Sequence, residues 1–224
     1  PTGRGYQLEN AGLAPEEATT YELGVQYDAR LLTASAWVFD QRLINAMERR
    51  SADCPMGDRE CRAARAAVQL VNLSGEAQIR GVEASLKLRP GFGLSLLGTL
   101  AVTHGEGDSP VESRPGRVPL SRIPPVNGIG EVMWRDRDTG LYAGGSVRWA
   151  LAQRDLSVGD EADARIPFGG TPGYVVFDAR AGLRGEALSV YAVLENLTDR
   201  PNRNHGSAVN GPGRGLIVNV EWAP

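Results

Sequence analysis

Long apolar runs are missing from this chain of 224 residues. The longest charge-free stretches, such as Gly91 to Thr103, fall well short of the roughly 18 residues that a membrane-spanning helix requires. Mean hydropathy is negative, and 42% of the residues are hydrophobic. The sequence therefore predicts no membrane-spanning helix.

Histidine and cysteine are scarce, with two of each. No serine lies in a nucleophile elbow, and no set of residues has metal-ligand spacing. The segment Gly211 to Gly215 is not a dinucleotide fingerprint, because its third glycine comes one residue early. A net charge of −3 argues against a nucleic-acid surface. We therefore predict no enzyme, no cofactor, no metal site and no nucleic-acid partner.

The chain does contain repeated alternation of apolar and polar residues. Every second residue is apolar from Leu216 to Trp222, and the same holds from Leu188 to Leu194. Successive side chains of a strand point to opposite faces, so each such segment predicts a strand with one apolar side. Nine strands are predicted, at residues 19–27, 31–47, 76–88, 93–104, 122–134, 140–153, 173–183, 188–197 and 213–222.

Connections between these strands alternate between short and long. Most of the strands have about 9 to 14 residues, enough for the roughly 9–11 that cross a bilayer at a tilt. Tight turns on one side and long loops on the other are typical of a transmembrane β-barrel wall. The predicted fold class is all-β, an antiparallel up-and-down transmembrane β-barrel segment, with a soluble β-sandwich as the alternative. The long loops run from Glu48 to Gly75, His104 to Ser121, Arg154 to Pro172 and Thr198 to Pro212.

Charged residues fall in mid-strand on the polar side, where a lone charge needs water or partners. A water-filled lumen would supply both, and so would the solvent face of a soluble β-sandwich. A feature that favours the barrel is the position of three aromatic residues. Tyr27, Trp134 and Trp222 fall on the apolar side at the turn end of their strands. An interfacial girdle of lipid-facing aromatic residues is expected at that level.

Both cysteines, Cys54 and Cys61, lie in the longest loop. An even count within an exposed loop of an exported protein suggests a local disulfide. The alternative is a metal site with Asp53, Asp58 or Glu60, but that site would lack nearby histidines.

Six segments resemble, in the same order, motifs of TonB-dependent outer-membrane receptors. One is Val193 to Arg200 (VLENLTDR), which is similar to the family's "ENLxDxxY" segment before the last extracellular loop. The others are Leu13 to Gly24 (LAPEEATTYELG), Gln78 to Glu83 (QIRGVE), Pro119 to Pro125 (PLSRIPP), Gly173 to Asp178 (GYVVFD) and Gly211 to Arg214 (GPGR).

The resemblance implies that residues 1–224 are the C-terminal portion of a 22-stranded receptor barrel in the bacterial outer membrane. The odd count of nine strands agrees, because single-chain bacterial barrels normally have an even number. The N-terminal plug, the TonB box and the first strands are expected in sequence outside these residues. The implied partners are outer-membrane lipid, the TonB complex through the missing N-terminal part, and the barrel-assembly machinery through the C-terminal strand.

The implied function is TonB-energised uptake of a small-molecule ligand, most often a ferric siderophore or similar metal chelate. Passive porin-like or structural barrels share the wall features, and an outer-membrane hydrolase would need a Ser/His pair at one membrane depth. Candidate ligand contacts at the extracellular rim are His104, Arg114, Arg117 and His205.

Overall fold

A computed structural model describes residues 6–64, 67–111, 113 and 115–223 of the protein. Within these residues no helix is long and apolar enough to cross a membrane. The elements are β1 (Tyr6–Leu8), β2 (Glu17–Asp28), β3 (Leu32–Ile44), β4 (Met47–Ser51), α1 (Arg59–Ala63), β5 (Ala67–Asn72), β6 (Ala77–Gly91), β7 (Leu94–Asp108), β8 (Arg117–Pro119), β9 (Asn127–Arg135), β10 (Leu141–Ala150), α2 (Val158–Glu161), β11 (Tyr174–Arg184), β12 (Leu188–Glu195) and β13 (Gly215–Trp222).

One large sheet carries most of these strands in the order β13-β12-β11-β10-β9-β7-β6-β3-β2, and β8 pairs with β7 beside this path. Every pairing in this sheet is antiparallel. The predicted all-β, up-and-down fold class is therefore confirmed, and each of the nine predicted strands is present.

The prediction missed secondary structure within the long loops. The loop predicted from Glu48 to Gly75 holds the antiparallel pair β4–β5, and β1 runs parallel to β5. The predicted strand 31–47 ends at Ile44, because Asn45 takes a φ of 57° and breaks the chain direction. The predicted strand 122–134 begins at Asn127, after two prolines that have no N–H to donate.

The two faces of the large sheet differ in chemistry. We call the face that carries Leu23, Val38, Val82 and Val102 the outer face, and these four residues lie in one cross-strand row. The opposite, inner face carries the mid-strand charges, as period-2 alternation requires. These are Glu22, Glu83, Lys87, Glu131, Arg148, Asp178, Arg180, Glu195 and Glu221.

The outer face ends in aromatic side chains at the side of the tight turns, which we call the turn end. Tyr27 pairs with Ala34, Trp134 with Leu94 and Ala143, and Trp222 with Leu188. All three side chains are exposed. Their role as a lipid-facing girdle stays a prediction.

Tight turns connect the strands at the turn end. Phe92 and Gly93 take φ angles of 53° and 75°, so a two-residue turn of the kind favoured in hairpins joins β6 and β7. In the β9–β10 turn, Asp136 accepts hydrogen bonds from the Thr139 hydroxyl at 2.7 Å and the Asp138 N–H at 3.0 Å. These bonds hold the pKa of Asp136 below its ordinary value.

Buried apolar side chains gather on the inner face at the opposite, loop end of the sheet. Leu120, which follows β8, and Leu73, which follows β5, pack there against the sheet, so two long loops fold over its rim. Burying a leucine contributes about 1.5–3 kcal/mol. The cluster consists of Leu43, Ala46, Leu73, Ala77 and Leu120, with Ile79 and Ile123 packed against it.

Candidate ligand-binding loops

The loop end holds a cleft of about 1510 Å³. Segments from β1, the β4–α1 connection, β5, the β7–β8 loop and α2 form its walls. Such a concave, mainly polar space suits a polar ligand held by several side chains. Its described ionisable lining residues are Tyr6, Glu9, Arg50, Asp53, Asp58 and Glu161.

A disulfide shapes one wall of this cleft. Cys54 and Cys61 are bonded, with a Cα–Cα distance of 5.6 Å. Asp58 lies between them and caps α1, accepting the Cys61 N–H at 2.9 Å. A hydrogen bond with the Asp58 carboxylate, reinforced by its charge, raises the pKa of the Tyr6 phenol. The wall is thus tied by one covalent and two polar links.

Asp160, on α2, is a buried carboxylate that joins separate loops. Its side chain is 1% exposed. Oδ1 accepts from the Ser121 hydroxyl at 2.8 Å, and Oδ2 accepts from the Arg122 N–H at 3.2 Å and the Ser157 N–H at 3.4 Å. The Asp160 N–H in turn donates to the Ser157 hydroxyl at 3.0 Å, which completes a capping box. Asp160 therefore fixes the β8–β9 loop to the β10–β11 loop.

Glu48, on β4, is a second buried carboxylate in the same region. It accepts the Arg49 N–H at 3.1 Å and the Ser121 N–H at 3.2 Å. Burial raises its pKa, and the charge of Asp160 raises it further, while the two N–H bonds oppose the shift. A Cβ at position 159 would meet Glu48 Oε1 at 2.4 Å, so any side chain there would displace the Glu48 carboxylate. Through Ser121, the β4 loop joins the loops that Asp160 holds.

Asp163 extends this network toward the last loop. It binds the guanidinium of Arg122 at 2.9 Å and forms a close pair with Arg165. The guanidinium of Arg203 donates to the Arg165 carbonyl at 3.2 Å. Asp163 is 6% exposed, so this is a shielded pair rather than a surface one.

His205 lies inside the loop network instead of on its surface. Its side chain is 2% exposed. Nδ1 lies 3.0 Å from the Thr171 hydroxyl, and Nε2 lies 3.6 Å from Asp160 Oδ2 without a hydrogen-bond partner among the described residues. His205 could reach a ligand only after the loops separate.

The other predicted ligand contacts do not converge with His205. His104 lies on the outer face, where its Nε2 is 3.7 Å from Glu106. Arg117 binds Glu106 at 3.4 Å and Asp108 at 3.7 Å. Arg114 lies outside the described residues. The predicted set therefore divides between the outer face and the buried loop network.

Below the loops, the inner face carries ion pairs. Arg180 pairs with Glu131, and Arg148 pairs with Asp178 at 3.4 Å. Asp178 also accepts the Asn196 N–H at 2.8 Å, which ties the start of the last loop to the wall. Within the described residues, no group of three or more His, Cys, Asp or Glu side chains is arranged to hold a metal ion.

The sequence reasoning missed Asp160 and Glu48 because loop carboxylates are usually solvated. Both aspartates of the acidic run from Asp160 to Asp163 are instead buried. One signal was available in the sequence. Ser157 stands three residues before Asp160, the spacing of a capping box.

Two loop turns display single apolar side chains to solvent. In each turn, the carbonyl of the first residue, a proline, accepts a hydrogen bond from the N–H of the fourth residue. The third residue is a glycine with positive φ. This geometry is that of a type II turn. Met56 in the Pro55–Asp58 turn is 96% exposed, and Phe168 in the Pro167–Gly170 turn is fully exposed. We call these two side chains the loop tips.

Comparisons with known proteins find the same architecture. A family model described as TonB dependent receptor-like, beta-barrel matches residues 1–197. The copper transporter OprC has a TM-score of 0.72 at 19% identity, over 94% of this chain and 32% of that chain. The FrpB iron transporter from Neisseria meningitidis (F3-3 variant) has a TM-score of 0.67 at 18% identity, over 98% of this chain and 32% of that chain.

A mutant of the ferric enterobactin receptor PfeA from Pseudomonas aeruginosa, in complex with enterobactin, gives a TM-score of 0.66 at 21% identity, over 97% of this chain and 34% of that chain. The chain therefore spans about a third of the length of these proteins. A search of curated proteins finds no match. Because the family model covers residues 1–197 of 224, the chain belongs to the family of TonB-dependent receptor-like β-barrels.

Proposed function

We propose that this chain is the C-terminal part of the barrel wall of an outer-membrane receptor that takes up a scarce nutrient. The observation that carries the proposal is the family match over residues 1–197. The wall geometry supports it, because one face of the sheet carries an apolar band and the other carries ion pairs suited to a hydrated interior.

The ligand class we propose is a metal chelate, such as a ferric siderophore. The printed names of similar structures, a copper transporter, an iron transporter and a ferric enterobactin receptor, support this class. The cleft at the loop end supports it too, because its hydroxyl, carboxylate and guanidinium groups can bind the polar surface of a chelate. Among the described lining residues, Arg50 is the cation that would contact an anionic chelate.

Three partners complete the proposal. The TonB complex supplies energy through the N-terminal part of the intact receptor. The barrel-assembly machinery receives β13, whose terminal residue Trp222 is apolar and exposed. Outer-membrane lipid covers the outer face.

Uptake by whole cells tests the proposal. Cells that express the intact receptor as their only outer-membrane iron receptor are given radiolabelled ferric enterobactin, with copper ions as a second probe. We expect uptake that saturates and that stops when an uncoupler collapses the proton gradient. Uptake that rises linearly with concentration and survives the uncoupler would instead support a passive porin-like barrel.

A pair of variants separates the cleft from the rest of the wall. Arg50→Gln removes a guanidinium of the described cleft lining, which donates to Gln69 at 3.3 Å. Arg30→Gln removes an exposed guanidinium at the turn end. If the ligand is an anionic chelate, Arg50→Gln should raise the half-saturating concentration about tenfold, and Arg30→Gln should leave it unchanged. Equal effects of the two changes would remove the cleft from the proposal.

A further inference from the structure

The outer face changes from apolar to charged within one cross-strand row. The last apolar row of β2, β3, β6 and β7 is Leu23, Val38, Val82 and Val102. Two residues nearer the loops, Asp40 pairs with Arg80, and Arg80 pairs with His104. Two residues correspond to about 7 Å of strand. The boundary between hydrocarbon and headgroups in a membrane therefore falls between these two rows.

Arg80 is the central residue of the first charged row. It is exposed, and no hydrogen bond or ion pair of its guanidinium occurs within the described part of the chain. Its cross-strand neighbour Asp40 is already occupied, since it binds Arg42 at 3.3 Å and Gln78 at 2.6 Å.

Two other described guanidiniums of this rim, those of Arg42 and Arg117, differ from Arg80 in having carboxylate partners. Arg42 binds Asp40 and also lies 3.9 Å from Glu76. Arg117 binds Glu106 and Asp108, which lie one and two rows nearer the loop end of the sheet than His104. Among the described arginines of the rim, Arg80 thus lies nearest the apolar band and has no carboxylate partner.

We propose that Arg80, together with His104, binds a phosphate group of an outer-leaflet lipid. This inference rests on the proposed function, because it requires the outer face to lie in a membrane. A guanidinium on a long apolar stem can rest its methylenes on Val82 and Val102 and place its charged head among lipid headgroups. Its planar donors match the oxygens of a phosphate, and His104 adds a ring nitrogen on the same row.

Lipid retention by the intact receptor tests the site. The receptor is placed in phosphatidylcholine nanodiscs that contain lipid A, extracted into non-ionic detergent, and analysed by native mass spectrometry for bound lipid A. We expect Arg80→Gln to lower the retained lipid about tenfold and His104→Gln to lower it less. The matched control is Arg89→Gln, because Arg89 lies on the same strand at the turn end and donates to Thr33 at 3.3 Å.

Three results would overturn the lipid site. The first is equal retention of lipid A by the wild-type receptor and by Arg80→Gln. The second is equal retention of lipid A and of lipid A without its phosphates. The third is release of lipid A by inorganic phosphate at low concentration, which would indicate a site for a free anion. Failure of the wild-type receptor to enter nanodiscs would remove both this inference and the proposed function, whereas normal insertion with equal retention removes only the lipid site.

Discussion

Asp160→Ala tests whether one buried carboxylate holds the loops together. The change removes the acceptor for the Ser121 hydroxyl, the Arg122 N–H and the Ser157 N–H, at 2.8, 3.2 and 3.4 Å. Each buried donor left unsatisfied costs about 1–3 kcal/mol, and the hydroxyl can turn to another acceptor. Allowing for this and for the long Ser157 bond, we expect the free energy of local loop opening to fall by about 2–4 kcal/mol.

Hydrogen exchange of the intact receptor measures this change directly. A loss of 2–4 kcal/mol corresponds to exchange faster by about 30-fold to 1,000-fold at the affected amides. The increase should reach the Arg122 amide and the β12–β13 loop around His205, not only α2 itself. Unchanged exchange at Arg122 would refute the role of Asp160 as a link between loops. Asp155→Ala is the matched control, because Asp155 is exposed in the same loop and its side chain forms no bond within the described chain.

Three further changes test other parts of the structure. Replacing Cys54 and Cys61 by serine opens a disulfide ring with a sequence separation of 7, so the folded loop should lose about 2.5 kcal/mol of stability. Proteolysis of residues 52–64 should accelerate, and an unchanged proteolysis rate would contradict this expectation. Val218→Arg places a charge on the outer face at a cost of about 2–4 kcal/mol near the midplane, so it should block assembly in cells. Asn219→Arg, on the inner face, should not block assembly. Equal yields of the two variants in the outer membrane would refute the face assignment. The raised pKa of Glu48 means that the folded loops bind its proton more tightly than the unfolded loops do. Loop stability should therefore be highest below its ordinary pKa of 4.5 and fall as pH rises through the raised value. Loop proteolysis, normalised to an unfolded substrate, should show this pH dependence, and persistence of the dependence in Glu48→Gln would contradict the assignment to Glu48.

The sequence was sufficient to predict the large sheet because its signal is periodic. Alternation fixes which side chains share a face, and a one-residue error of register would place Glu131 or Asp178 on the apolar side. The ends of strands were less certain. The break at Asn45 depends on a single positive φ, which alternation does not report.

The candidate site was harder to predict because it depends on contacts between loops distant in sequence. Asp160 and Ser121 are 39 residues apart, and Glu48 and Ser121 are 73 apart. No local pattern states that these residues meet. His205 was predicted at the rim because histidine in a loop is usually exposed, but folding of its loop against Thr171 buries it.

The shared bonds at Ser121 have an evolutionary consequence. An insertion or deletion near Asp160 would displace a donor or acceptor of two other loops at once, so the interior of this network should change slowly among related receptors. The loop tips, Met56 and Phe168, are exposed to solvent and stand on self-contained turns. Substitutions at these two positions should therefore be tolerated, and sequence variation among relatives should concentrate there.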